Sequence, residues 1–307
     1  MAVAELEFEG LLTEEPVSQF VIVWRRLRRH KLAVAGAVVI LFFIISAALA
    51  SVIAPYDPIY HQERGNNNAG PSLEHLMGTD EIGRDVFSRL LYAGRISLTV
   101  AFVVVILTQT SGAFIGAISG FYGGLVDAFI QRLTDFLITL PLLPLLLACA
   151  AVLRGVYLPG LPREWSSAVI VIVVLTLFGW MGACRMVRGM VLSLREREFT
   201  EACRALGMSD LQIIVRHMLP NALPPLIVNA TLALANVIIM ESALSFLGLG
   251  VHPPVATWGN MLYEYQRDMW TQPLKVFFPG LAIFLTALSF NYVGDGLRDA
   301  LDPRLKM

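Results

Sequence analysis

REREFTEACRALGMSDLQIIVRHMLPNALPP, residues 195–225, is the stretch on which the reading of this chain turns. It is the longest polar interruption between apolar runs in the second half of the sequence. Phe199, Ala202, Ala205 and Leu206 recur at helical spacing, with Glu198, Glu201 and Arg204 on the other faces. Gly207 breaks that pattern. Ser209 and Asp210 then offer N-capping side chains for a second helix through Leu211, Ile214, Val215 and Met218. Pro220, Pro224 and Pro225 are expected to close it. Two short amphipathic helices joined at a glycine make a compact knob, and a knob set between apolar runs points to a docking surface.

The runs on either side are long enough to cross a membrane. Of 307 residues, 56% are hydrophobic and 15% charged, and the mean hydropathy is +0.66. Soluble domains carry about 45–50% apolar and about 25% charged residues. Six runs, 32–54, 97–120, 129–153, 166–184, 226–247 and 276–294, could each span a hydrocarbon layer of about 30 Å, which takes roughly 17–25 helical residues. The chain therefore divides into an N-terminal tail with an amphipathic helix (1–31), a first transmembrane helix (32–54), an outer loop (55–95), a five-helix core (96–296) carrying the 195–225 knob, and a C-terminal tail (297–307). Arg25, Arg26, Arg28, Arg29 and Lys31 crowd the start of the first run, which places the N-terminus in the cytoplasm. Alternation from there puts the knob and the C-terminus on the same side, with most of the 23 Lys and Arg. The first run has no small-residue cleavage site after it and reads as a permanent anchor.

Other stretches carry narrower expectations. Val17, Phe20, Val21, Trp24 and Leu27, backed by arginines, read either as a helix lying in the headgroup plane or as the end of a long first helix. In the outer loop, Val86, Leu90 and Leu91 against Arg84, Asp85 and Arg89 predict a surface helix capped by Thr79 or Asp80. Its carboxylates are expected to pair with its arginines in solvent and not to hold a metal. Gly112, Gly116 and Gly120 form a small-residue face for close helix packing. Asp127, Arg132 and Asp135 fall near the inner interface, with Arg132 placed to pair with Asp135 or to reach water. Pro141 and Pro144 should bend the third span. In the fifth, Asn229 and Asn236 share a face and Glu241 follows towards the outer end. Polar groups there either line a translocation route or, in the structural alternative, make hydrogen bonds between helices or, for Glu241, reach the interface. Trp258, Tyr263, Tyr265 and Trp270 fit an interfacial aromatic belt.

Several chemistries are excluded. Lys31, Lys275 and Lys306 are the only lysines and none follows a glycine, so there is no P-loop for ATP. G-x-S-x-G and H-E-x-x-H are absent, no catalytic residue emerges, and the five histidines are scattered. Cys149, Cys184 and Cys203 lie far apart with no C-x-x-C, giving neither a disulfide framework nor a zinc site. A net charge of −1 offers nothing to nucleic acid.

Residues 195–225 resemble a signature of binding-protein-dependent ABC importer permeases, EAA-x3-G-x9-I-x-LP. Glu201, Ala202 and Cys203, then Gly207, then His217 to Leu219 and Pro220 stand at that spacing, with Cys203 and His217 as departures. RHMLPNALPPLIV, GTDEIGRDVFSRLLYAGRISL, LSFLGLG with the following PP and WGNML, and FNYVGDGLRDALDPRLKM resemble the dipeptide/oligopeptide branch, and within it the C-type member of a permease pair. The resemblance runs from about Phe20 to the C-terminus. It implies an all-α integral membrane protein with six transmembrane helices in the type I importer (MetI-like) fold, in the cytoplasmic membrane of a bacterium or archaeon. It further implies a heterodimer with a homologous B-type permease, two P-loop ATPases that bind ATP and magnesium, and an external solute-binding protein. Glu201, Ala202, Gly207, Leu219 and Pro220 would couple to the ATPases; Asn229, Asn236 and Glu241 would line the path. The cargo implied is a di- or oligopeptide, with nickel complexes, glutathione or oligosaccharides as alternatives. An ion-coupled secondary transporter is the reading from a different class; it requires paired carboxylates near the midplane.

Overall fold

The structure is a computed structural model and describes residues 19–63, 65–156, 159–160 and 162–301. Its helices in chain order are α1 (Gln19–Arg29), α2 (Lys31–Ala48), α3 (Ala50–Ile53), α4 (Val86–Tyr122), α5 (Gly124–Thr139), α6 (Leu142–Val152), α7 (Arg163–Gly179), α8 (Met181–Arg195), α9 (Glu198–Ala205), α10 (Asp210–Ile213), α11 (Leu219–Phe246), α12 (Trp258–Tyr265) and α13 (Pro273–Leu301), with a π turn, Ile214–Met218, between α10 and α11. Helices α2, α4, α7 with α8, α10 with α11, and α13 make five spans long and apolar enough to cross a membrane. The sixth is broken: α5 and α6 meet at 91°. Proline explains the break. Leu140, preceding Pro141, is driven out of the helical region to ψ 137, because the pyrrolidine ring clashes with a helical residue before it.

The N-terminal segment settles into a separate helix. His30 leaves helical geometry and its Nδ1 accepts from Ala33 N at 3.1 Å, capping α2 and setting α1 apart. Val21 and Trp24 of α1 are exposed, while Leu27 lies against α13 at Gly296. Val17 and the side chain of Phe20 lie outside the described residues, as do both tails, 1–18 and 302–307.

The central contact joins α4 to α8. A Cβ on Gly112 or Gly116 would run into the carbonyls of Trp180 or Cys184, and one on Gly120 would stand 2.8 Å from the Arg188 carbonyl. The glycine face thus lets two backbones touch, the contact that holds helices together where lipid offers no hydrophobic drive. Arg188 clamps the far end of this contact, donating from Nε and Nη2 to Asp127 of α5 at 2.5 and 2.6 Å. Arg185 pairs with Asp135. Asp135 thus takes its partner from another helix, and of the two alternatives for Arg132 the exposed one is found.

At the opposite end, the 55–85 loop departs from the sequence expectation. No surface helix begins at Asp80. Asp80 Oδ1 instead accepts from Ile82 N and Arg84 N, closing a turn. Asp85 caps α4 by accepting from Ser88 N at 2.7 Å, and α4 runs without a break into the second span. Nor are the charges solvated. Asp80 meets Arg84 at 2.7 Å and Arg89 at 2.6 Å, and Glu264 meets the same two arginines at 3.0 and 2.7 Å. Arg89 is wholly buried, with Tyr265 5.8 Å away in cation–π contact. Burial pushes the Asp80 carboxyl up, but Arg89 and Arg84 outweigh it and hold it below its ordinary value. Buried charges need such pairing because solvent no longer compensates them; Arg89 meets both carboxylates through Nη1, and its Nε and Nη2 make no hydrogen bond among the described residues. The aromatic belt is likewise divided: Trp258 and Tyr265 are buried, and only Tyr263 and Trp270 are exposed.

Beside this network, His75 is buried between Asp85 Oδ1 at 3.0 Å and Glu63 Oε2 at 3.3 Å. Burial pulls the imidazole down, but its hydrogen bonds to Asp85 and Glu63 outweigh that and raise it above 6.5. Hydrogen bonds from Asn66, His75 and His61 lower Glu63 to about 2.

Two outcomes follow from this packing. Gly116→Val will lower the stability of the detergent-solubilised chain by about 1–3 kcal/mol, read as a fall in thermal midpoint, because the added carbons have no space against α8. The His75 contribution is complete below its unfolded value of 6.5 and is lost as pH rises through the raised folded value. That of Glu63 is complete above 4.5 and is lost as pH falls through about 2. Hydrogen exchange across 61–85, corrected for its intrinsic pH dependence, will be slowest in the interval between, and His75→Gln will remove the alkaline rise.

Candidate functional site

The knob is built on a specific helix ending. Gly207 sits at φ +77, a left-handed backbone that L side chains resist. Gly207 N donates to Arg204 O at 2.9 Å and Met208 N to Cys203 O at 3.1 Å, the Schellman pair that satisfies the last carbonyls of a helix. Two residues later Ser209 starts α10 with a reciprocal capping box: its Oγ accepts from Gln212 N, and Gln212 Oε1 accepts from Ser209 N at 3.0 Å. A helix stop and a helix start back to back produce the corner.

The second arm differs from expectation. Pro220, Pro224 and Pro225 do not close it; α10 passes through the π turn into α11, and Asp210–Phe246 is one span. Pro220 falls in the first turn of α11, where a missing N–H costs little. The wide turn, closed by Leu219 N donating to Ile214 O, carries the chain from knob to membrane without an end. The knob is thus the exposed end of a span and is joined rigidly to it.

Its inner face is packed on the bundle. Cys203, Ile213, Ile214 and Met218 are buried against Ala117 and Phe121 of α4 and Val187 and Val191 of α8. Thr200 Oγ1 donates to Leu194 O at 2.9 Å, and the Arg204 guanidinium lies 5.3 Å over the Phe121 ring. Leu219 is half-buried against the same cluster. Outward, Glu201, Ala202, Gly207 and Pro220 are exposed. Leu206 is 82% and Leu211 64% exposed, so the corner presents two leucines, and the Glu201 carboxylate has no partner among the described residues.

Midway along the bundle, α4, α6, α7, α8 and α11 surround a cleft of about 320 Å³. Asn229 and Asn236 both line it with Gln109, and Asn229 Nδ2 donates to Gln109 Oε1 at 2.8 Å. Glu241 is not with them. It lies about 140° round the helix from Asn236, at about 100° per residue. It is fully buried, accepting from Ser245 Oγ at 2.8 Å and Ser97 Oγ at 3.3 Å, and Ser97 Oγ accepts in turn from Trp258 N. The second sequence alternative, interhelical hydrogen bonding, describes this residue. Gln109 was not singled out from sequence; a lone amide within an apolar run was its only signal.

Residues 112–307 match the family model described as binding-protein-dependent transport system inner membrane component. That span is well over half of the chain. The chain belongs to this family. Residues 18–71 match a second model, the N-terminal TM domain of oligopeptide transport permease C. A dipeptide transport system permease protein of Alkalihalophilus pseudofirmus is 40% identical, over 96% of this chain and 97% of its own length. A glutathione transport system permease protein of Escherichia coli is 41% identical over 92% and 90% respectively. The inward-facing MetNI methionine ABC transporter matches in fold, with TM-score 0.50 and 19% identity over 70% of this chain and 98% of that one. This permease is accordingly a multi-pass inner-membrane subunit of an ABC importer, working with ATPase and binding-protein partners and not itself an enzyme.

The space around Gly207 is open, since no atom stands within 4 Å of a Cβ built there. The cost of a side chain is therefore in the backbone alone. Gly207→Val will loosen the corner by about 1–2 kcal/mol and Gly207→Asn by distinctly less, measured as protease susceptibility at 197–210.

Proposed function

We propose that this permease forms half of a translocation path for di- or oligopeptides, the other half being a homologous B-type subunit. The observation that carries the coupling role is the rigid, leucine-tipped corner at Gly207, continuous with the α11 span. Glu201, Ala202, Gly207, Leu219 and Pro220 make up this coupling element. Leu206 and Leu211 enter an apolar groove on a P-loop ATPase, and Glu201 meets a basic group beside it. Closure of two ATPases around ATP and magnesium then pulls a span, because α10 and α11 move as one rod.

Asn229, Asn236 and Gln109 serve as the path side of the central cleft. Neutral amides offer donors and acceptors to a peptide bond without the deep well that a fixed charge would create. The relatives named for dipeptide and glutathione transport support a short peptide as cargo, delivered by an external solute-binding protein. The arginines on α1 support an orientation with both termini and the knob in the cytoplasm. Glu241 favours this reading over an ion-coupled carrier, since it is enclosed by serines and has no second carboxylate beside it among the described residues.

Leu211→Asp will cut ATP-driven dipeptide uptake by the reconstituted complex about tenfold or more, as burying an unpaired charge in an apolar groove costs at least about 1.4 kcal/mol. The same variant will lose ATPase subunits on purification. Full uptake and retained ATPases would remove the corner from the coupling interface.

A further inference from the structure

A second cavity, of about 300 Å³, opens at the loop end of the bundle. Its walls are Asp57 and Pro58 from the start of the loop, Tyr92 and Arg95 of α4, Trp165 of α7, and Val255 before α12. It shares two helices, α4 and α7, with the central cleft. Gln109 lies about 21 Å further along α4 and some 40° round from Arg95, at about 1.5 Å and 100° per residue. Gly179, which lines the central cleft, stands at the same offset from Trp165 on α7. The two cavities thus lie at two levels of one helix pair, with Val100, Val104, Val171 and Val174 packed in the core between them.

The charges in the outer cavity are available. Arg95 is exposed and has no side-chain partner among the described residues. Asp57 is held in place by its Oδ1, which accepts from Ile59 N at 2.8 Å and Tyr60 N at 2.6 Å; its Oδ2 makes no bond among the described residues. One fixed carboxylate and one free guanidinium, with Tyr92 and a 43% exposed Trp165 between walls of Pro58 and Val255, complement a small zwitterion with an apolar side chain. A metal ion would not suit a site with a single carboxylate and a facing arginine.

We infer that this outer cavity is an entry site that takes the two charged ends of a short peptide, its carboxylate on Arg95 and its amine on Asp57. The inference rests on the peptide reading above. An arginine–carboxylate pair is directional and charge-assisted, so it sorts peptides with free termini before they reach the uncharged amides of the central cleft. Release inward follows from the chemistry: the central cleft offers hydrogen bonds but no ionic partner, so the peptide is not retained there.

The test uses the complete reconstituted complex with its binding protein, and compares uptake of dialanine with that of dialanine amide, which lacks the carboxylate. Arg95→Gln will lower dialanine uptake about tenfold, equivalent to about 1.4 kcal/mol, and bring the ratio of dialanine to amide close to one. Arg95→Lys will restore part of the preference. A ratio unchanged in Arg95→Gln overturns the entry site; equal losses for both compounds also overturn it, and are the result expected if a zwitterionic lipid headgroup fills the cavity instead. Absence of dialanine uptake by the native complex overturns the peptide reading, and this ligand with it.

Discussion

The close approach of α4 and α8 is the contact on which the rest of the molecule depends. Gly112, Gly116 and Gly120 bring the two backbones together, and everything functional is attached to one helix or the other. The knob packs on their shared end through Phe121, Val187 and Val191. The central cleft uses the flank of α4 at Gln109 and the junction of α7 and α8 at Gly179 and Ala183. Asp127 and Arg188 then tie the broken span to the same pair. A membrane offers no hydrophobic force between helices, so this short backbone contact supplies what an apolar core supplies in water.

The two ends of the bundle are held differently, and the difference suits their tasks. At the loop end, Asp80, Arg84, Arg89 and Glu264 form a buried network joining the loop, α4 and α12. Breaking one member would leave a charge stranded, so these elements move together or not at all. At the knob end, the corner has only its inner face buried, and its tip is apolar and free of internal partners. One end is a stiff frame around an opening; the other is a lever with an unoccupied face.

Much of the site was legible in sequence because it is written in local chemistry. The Gly207 stop and the Ser209 start involve partners within five residues of each other, Met208 with Cys203 and Ser209 with Gln212. The bend at Pro141 follows from one ring clash with its neighbour. Asn229 and Asn236 share a face by helical period alone, and both line the cleft. The prolines after the knob misled because their effect depends on register: a π turn upstream placed Pro220 in a first turn, where proline is tolerated.

By itself the sequence determined the apolar spans, the glycine face, the corner and its family signature, all of them set by spacing within a few helical turns. The tertiary structure alone decided which charge meets which. Arg188 finds Asp127 across 61 residues and Arg84 finds Glu264 across 180, and no periodicity encodes such pairings. It also decided that Asp80 and Arg89 are buried, that Glu241 is enclosed while Asn236 faces a cavity, and that two cavities stand at different levels of one helix pair. Burial and pairing are properties of the whole packing, since what surrounds a side chain is supplied by helices far away in the chain.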